Sequence, residues 1–263
     1  MGHSSTRILI WLASLALLRP IALSAEQIPV RHVEGVTLGF LVLRSLDGTA
    51  LAYGDLKQVV KNEEVTDDLT FRFIDGSFYQ EITVYTQRGE FKLLRDQVLQ
   101  KGPSFKQQMQ SWINAETGDI AVHSLDKDKW TRKRLSVPED AYNGLIFTIA
   151  KNIPPDVPET TVSMVAASTS PRIVYLRILP AGEKTISVGL ITHTAQHFVV
   201  KFEIPGVAGV VAPVIGKQPP DMHVWVVKSE APSFIESEGP LYQDGPIWRI
   251  ELTSPEPDKL PQK

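Results

Sequence analysis

The sequence predicts an all-β fold with one main helix, and three observations carry that reading. From Val36 onward, short β-branched and aromatic runs are separated by Gly, Asp, Asn or Pro, the pattern of strands and hairpins. Leu69 to Ile74 alternates apolar with polar side chains, meets a turn at Asp75-Gly76, and is answered by Phe78 to Tyr85 running back. Only one stretch, around Ser136 to Lys151, leaves the period of two. Alternation means that one sheet face packs and the other meets solvent, so the sheet is expected to be antiparallel and not a parallel dinucleotide-binding one.

Taken in order, strands are expected at Val36–Arg44, Ala50–Val60, Leu69–Ile74 and Phe78–Tyr85. After a turn at Arg88-Gly89 the meander continues through Phe91, Leu93 and Val98, then Gln108–Asn114 and Ile120–His123. Later strands are expected at Thr160–Ala166, Arg172–Leu179, Thr185–Ile191, His197–Ile204, His223–Lys228 and Ile247–Leu252. Ser136-Val137-Pro138-Glu139 has capping-box spacing with an early proline, which predicts a helix over Ala141–Lys151 with Leu145, Ile146, Ile149 and Ala150 as its buried stripe. Pro154-Pro155 stops it.

The N-terminus reads as an export signal. Arg7 precedes an apolar run, Ile8 to Leu18, and small residues at Ala22, Ser24 and Ala25 place cleavage before Glu26. That run is too short to cross a bilayer, so no transmembrane anchor is expected, and the protein is expected to be periplasmic or secreted. The chain has no cysteine, hence no disulfide, thiolate site or lipid-bearing cysteine. Residues 26–254 are read as one β-rich domain and 255–263, rich in proline and charge, as a disordered tail. The formal charge is −3 for the whole chain, and more negative once Arg7 and Arg19 leave with the signal, which argues against nucleic acid as a partner.

Several segments carry a resemblance: Asp75-Gly76-Ser77-Phe78, Leu94-Arg95-Asp96, Gln100 to Phe105, Tyr142-Asn143-Gly144-Leu145, Ala212-Pro213 to Gly216-Lys217, Pro219-Pro220-Asp221 with Trp225, and Gly239-Pro240-Leu241 with Gly245 to Ile250. On these the chain resembles an uncharacterised family of exported bacterial proteins, a domain of unknown function. More distantly it is similar to lipoprotein-carrier-like proteins. That resemblance implies a curved antiparallel sheet, or unclosed β-barrel, wrapped over a helix, with an apolar concavity and a role in holding a hydrophobic ligand or in envelope assembly. It offers no catalytic residues to carry over.

Read from the residues, no site announces a chemistry. His193 and His197 have His-x-x-x-His spacing, but along a strand four residues span about 13 Å, too far for one metal ion unless a turn falls between them. Asp221 and His223 could form a base with its orienting carboxylate, yet no nucleophile motif accompanies them. Gly216-Lys217 lacks the rest of a phosphate loop, and Asp126 and Asp128 lack the rest of a calcium loop, so neither a cofactor nor a metal is expected. Glu63-Glu64 and Asp67-Asp68 read as a solvated loop.

Two features remain. The charge-free run from Ile204 to Gly216 reads as a core strand with glycine kinks or as an apolar flap, with Val207, Val210, Val211 and Val214 facing a ligand beside Phe71, Phe73 and Tyr79. Lys129, Trp130, Arg132 and Arg134, with Lys127 and Lys133, form the one basic cluster: a solvated edge hairpin, or a membrane or partner patch. The leading expectation is a non-enzymatic carrier of an apolar ligand such as a lipid or acyl chain. Its alternatives are an envelope protein docking a protein partner through a sheet edge or patch, and a hydrolase-type enzyme using His193, His197, Asp221 or His223.

Overall fold

The computed structural model describes residues 26–154, 156–188, 191–204 and 219–254. The expected signal segment, Val207, Val210, Val211 and Val214 of the apolar run, and the tail 255–263 lie outside the described residues.

Among the described residues fourteen strands form one antiparallel sheet. In chain order they are β1 (Thr37–Ser45), β2 (Ala50–Lys61), β3 (Glu64–Phe73), β4 (Phe78–Arg88), β5 (Glu90–Lys101), β6 (Met109–Asn114), β7 (Asp119–Ser124) and β8 (Lys129–Arg134). The helix α1 (Ile146–Asn152) follows, then β9 (Thr160–Ala166), β10 (Arg172–Val188), β11 (Ile191–Glu203), β12 (Met222–Val227), β13 (Ser233–Pro240) and β14 (Ile247–Thr253). Every strand pairs with its sequence neighbour except β8 and β9, and the first strand pairs with the last, Leu41 opposite Leu252. The sheet is therefore a rolled meander whose break lies in mid-chain, an unclosed barrel.

Local chemistry explains the turns. Asn62 and Glu63 both have positive φ, which makes the two-residue connection of β2 to β3 the mirror-image turn whose twist suits a hairpin. This places Asp67 within β3, facing inward and buried, so the acidic pairs do not form a solvated loop. Arg172–Leu179 and the first part of Thr185–Ile191, expected as two strands, belong to one long strand, β10, with an irregularity between Pro180 and Glu183, while Ile191 begins β11.

The helix is shorter than expected, and its capping box does not form. Leu145 is the residue before α1 and makes no side-chain cap, while Ser136 to Pro138 lie in an irregular connection and Glu139 in a turn. Gly144, at φ +67°, breaks any helix through Ala141. The expected stripe does bury: Leu145, Ile149 and Ala150 enter the core with Val65, Tyr85, Phe91, Leu176, Phe198 and Val224. α1 thus fills one end of the rolled sheet. At the other end Leu43, Phe71, Phe73, Tyr79, Phe105, Tyr242 and Trp248 make an aromatic core.

Residues 26–35 strap the helix end. Asn152, fully buried, accepts hydrogen bonds from the backbone N–H groups of Arg31 and His32 at 2.9 and 2.8 Å. Lys151 pairs with Glu34 at 2.6 Å, and Gln58 and Gln87 bond the same glutamate residue.

Candidate functional site

Facing outward, strands β4 to β8 form a trough of about 620 Å³. Strand alternation sets its lining: Ile82 and Val84 from β4, Arg95 from β5, Trp112 from β6, Ala121 from β7, and Arg132 with Arg134 from β8. Their inward neighbours Ile113, Ile120 and Val122 pack with Val165 of β9 across the break in the sheet. The same β-period that builds the core therefore delivers the trough.

Ala121 stands between Trp112 and Arg132 in the register. Its small side chain lets the indoles of Trp112 and Trp130, two strands apart, lean together with ring centroids at 5.4 Å and planes 15° apart. His123, opposite Trp130, stacks on it at 4.4 Å and is held by Asp128 at 2.8 Å. The Arg132 guanidinium lies over the Trp130 ring at 4.7 Å. Neither Arg132 nor Lys129 makes an ion pair among the described residues. Arg134 instead makes a forked contact with Asp119, which holds that carboxyl below its ordinary range.

The two ends of the sheet are treated differently. At β9 the connection from β8 to α1 covers the edge: Tyr142 N–H donates to Ser163 O, and Ser163 N–H to Asp140 O. One turn further, the Asn143 side chain takes the place of a strand, donating from Nδ2 to Val165 O and accepting from Val165 N–H, both at 2.9 Å. Among the described residues β8 pairs only with β7, and five of its six residues are exposed. Lys133 reaches across the break to Pro171 O at 2.9 Å.

The other predicted residues fall as follows. Phe71, Phe73 and Tyr79 are buried against Phe105, whose ring meets Phe73 edge-on at 5.3 Å, so these rings pack on one another. His193 and His197 lie on one strand with no turn between them, and His197 instead meets His223, Nε2 to Nδ1 at 2.8 Å. Trp225 stacks beside them, and burial, with His223 next to it, lowers the pKa of His197. Asp221 precedes β12 and makes no contact with this pair. Among the described residues no three His, Cys, Asp or Glu side chains converge as metal ligands.

Buried carboxylates lie inside. Asp67 has one oxygen without a hydrogen bond, as does the neighbouring Tyr85 hydroxyl, and burial pushes Asp67 up to about 7 with Glu34 adding to the effect. Asp96, bonded by Thr83 Oγ1 at 3.0 Å, is raised well above the usual carboxylate range by burial and then by Glu81.

No family model matches the chain, and no curated protein does. Among solved structures it is similar to a β-barrel-like protein of a domain of unknown function, DUF1849, from Brucella abortus. The two share 10% identity over 88% of this chain and 98% of that one, with a TM-score of 0.45. That neighbour is described as β-barrel-like and of unknown function, and at this identity the likeness says nothing about chemistry.

Sequence reasoning found Trp130, Arg132 and Arg134 but missed Arg95, Trp112 and Ala121. Trp112 was findable: on β6 it takes the phase opposite to Ser111 and Ile113, both buried, and so marks an aromatic ring on the solvent face.

Proposed function

We propose that the protein is a non-catalytic docking protein of the cell envelope, and that the trough over β4 to β8 receives an anionic protein partner. The observation that carries this reading is Arg132 over the Trp130 ring beside Trp112 and Arg95, in a chain whose net charge is −3. Cation and indole together supply the two residue types that dominate protein recognition. The concave shape suits a chain lying in it more than a flat lipid surface. No helix among the described residues is long and apolar enough to cross a membrane.

A carrier of an apolar ligand is the second reading, and one observation favours it. A hollow of about 370 Å³ opens at the α1 end of the interior, lined in part by Ala150, Ile153, Phe198 and Val226. The rest of the described interior is occupied by α1 and the aromatic core, so this reading rests on that hollow and on Val207, Val210, Val211 and Val214.

The test is tryptophan fluorescence of the mature protein titrated with poly-L-glutamate, poly-L-lysine and phosphatidylglycerol vesicles. Poly-L-glutamate is expected to bind, to be displaced by salt, and to lose at least tenfold in affinity in Arg95→Glu/Arg132→Glu. Binding to vesicles alone, or to none of the three, overturns the docking reading. A stoichiometric lipid in native mass spectra would favour the carrier.

A further inference from the structure

We infer that the occupant of the trough is an extended acidic segment that joins the sheet as a fifteenth strand along β8, an inference that rests on the docking reading above. Four observations lead there. First, hydrogen-bond accounting separates the two ends of the sheet. At β9 the outward backbone groups of Ser163 and Val165 are met by Asp140, Tyr142 and the Asn143 amide. At β8 no backbone bond reaches the outer edge among the described residues. Three of its six residues there present both N–H and C=O along about 20 Å, the ordinary template for strand addition.

Second, the edge is accessible and partly apolar. Trp130 is 42% exposed, a large ring on the solvent side of an edge strand. Charge alone would guard an edge against pairing; an exposed indole stacked on a second indole does the reverse.

Third, both faces of β8 carry cations. Arg132 and Arg134 line the trough and share their side of β8 with Trp130, while Lys129 and Lys133 alternate with them along the strand. Arg134 is already forked to Asp119 and Lys133 donates to Pro171 O, so Arg132 and Lys129, one on each face, are the cations that the carboxylates of an incoming strand meet, the favourable cross-strand pairing.

Fourth, the same charges choose against a second copy of this chain. Two β8 edges brought together antiparallel would set Lys and Arg against Lys and Arg. An acidic partner strand is the occupant that these charges leave.

The experiment uses the mature protein and two decapeptides of alternating glutamate and valine. One is unmodified, and the other is methylated on every backbone nitrogen, so that charge and side chains match while strand pairing is abolished. The unmodified peptide is expected to bind at least tenfold more tightly and to slow hydrogen exchange at β8 amides that do not pair with β7. Arg132→Glu, an exposed substitution that should leave the circular dichroism unchanged, is expected to weaken it about tenfold. Equal binding of the two peptides, with β8 exchange unchanged, overturns strand addition while the docking reading stands. Binding of neither peptide, with poly-L-glutamate still bound, does the same. Loss of poly-L-glutamate binding as well, or binding to phosphatidylglycerol vesicles alone, overturns both.

Discussion

The strands β8 and β9 terminate the same sheet, yet they meet solvent in opposite ways. β9 is capped by the chain that has just left β8: Asp140 to Asn143 run alongside it and bond each outward backbone group of Ser163 and Val165. β8 ends the sheet bare, with Trp130 and Arg132 exposed beside it. An exposed edge is a liability that folds suppress, so a chain that plugs one edge with a buried asparagine and leaves the other open among the described residues has made the two edges unequal in hydrogen bonding.

The largest effect is expected where the capped edge is uncapped. Asn143→Leu removes a donor and an acceptor from the buried backbone of Val165 and leaves both groups unpaired. The cost is about 2–4 kcal/mol, read by denaturant unfolding, since each buried unsatisfied group carries its full desolvation penalty. The variant should also self-associate with rising concentration in sedimentation, because β9 becomes a second template. An Asn143→Leu protein as stable and as monomeric as the parent would remove the contrast altogether. Gly144→Ala strikes the same plug more locally: φ is +67° and the new Cβ would fall 1.9 Å from Thr83 Oγ1, at a cost of roughly 1–3 kcal/mol.

A smaller change sharpens the comparison by anchoring the plug while leaving both edges alone. The connection that caps β9 continues into α1 and is fixed at its far end by the Lys151 and Glu34 pair, near the buried Asp67. Asp67 titrates at about 7 when folded against 3.8 in its ordinary state. Between those two values the folded chain keeps a proton the unfolded chain has lost. Stability from this group is therefore complete below about pH 3.8, falls as pH rises to about 7, and is absent above. Asp67→Asn should flatten that slope and, at pH 8, raise stability by about 2 kcal/mol, with β8 and its ligand binding unaffected. Urea unfolding across pH 5 to 8 checks it; a variant with the parent slope would assign the titration elsewhere.

How much of this was legible beforehand follows the range of the interaction. The hairpins were, because the alternation in Leu69–Ile74 and Phe78–Tyr85 is local, and so was the burial of Leu145, Ile149 and Ala150. The helix start was misread because Ser136-x-x-Glu139 has the right spacing, while what wins is the tertiary bond of Tyr142 to Ser163 and the positive φ of Gly144. Asn143 fell inside the expected helix; its partner Val165 lies 22 residues away, beyond any local pattern. Asp67 looked solvated because its neighbours are acidic, but the register of β3 turns it inward. Of the trough, the basic run on β8 was visible in sequence, whereas Arg95 and Trp112 join it only through strand order. His197 meets His223 in place of His193, for the same reason.

The smallest expected effect isolates the open edge from stability altogether. Ala121 is the floor over which Trp112 and Trp130 meet, and its neighbour in the register is Arg132. A leucine there keeps the strand and faces the trough, so unfolding should shift by no more than about 0.5 kcal/mol, as for other solvent-side substitutions. The added branch separates the indoles beyond their 5.4 Å contact, which should abolish the coupled tryptophan signal in near-ultraviolet circular dichroism. If the trough acts through that paired platform, acidic peptide binding weakens several-fold in parallel with the lost signal. If the signal is lost and binding holds, the cations and the bare backbone of β8 suffice. The asymmetry between the two edges then lies in hydrogen bonding and charge, with the indoles reduced to support for Arg132.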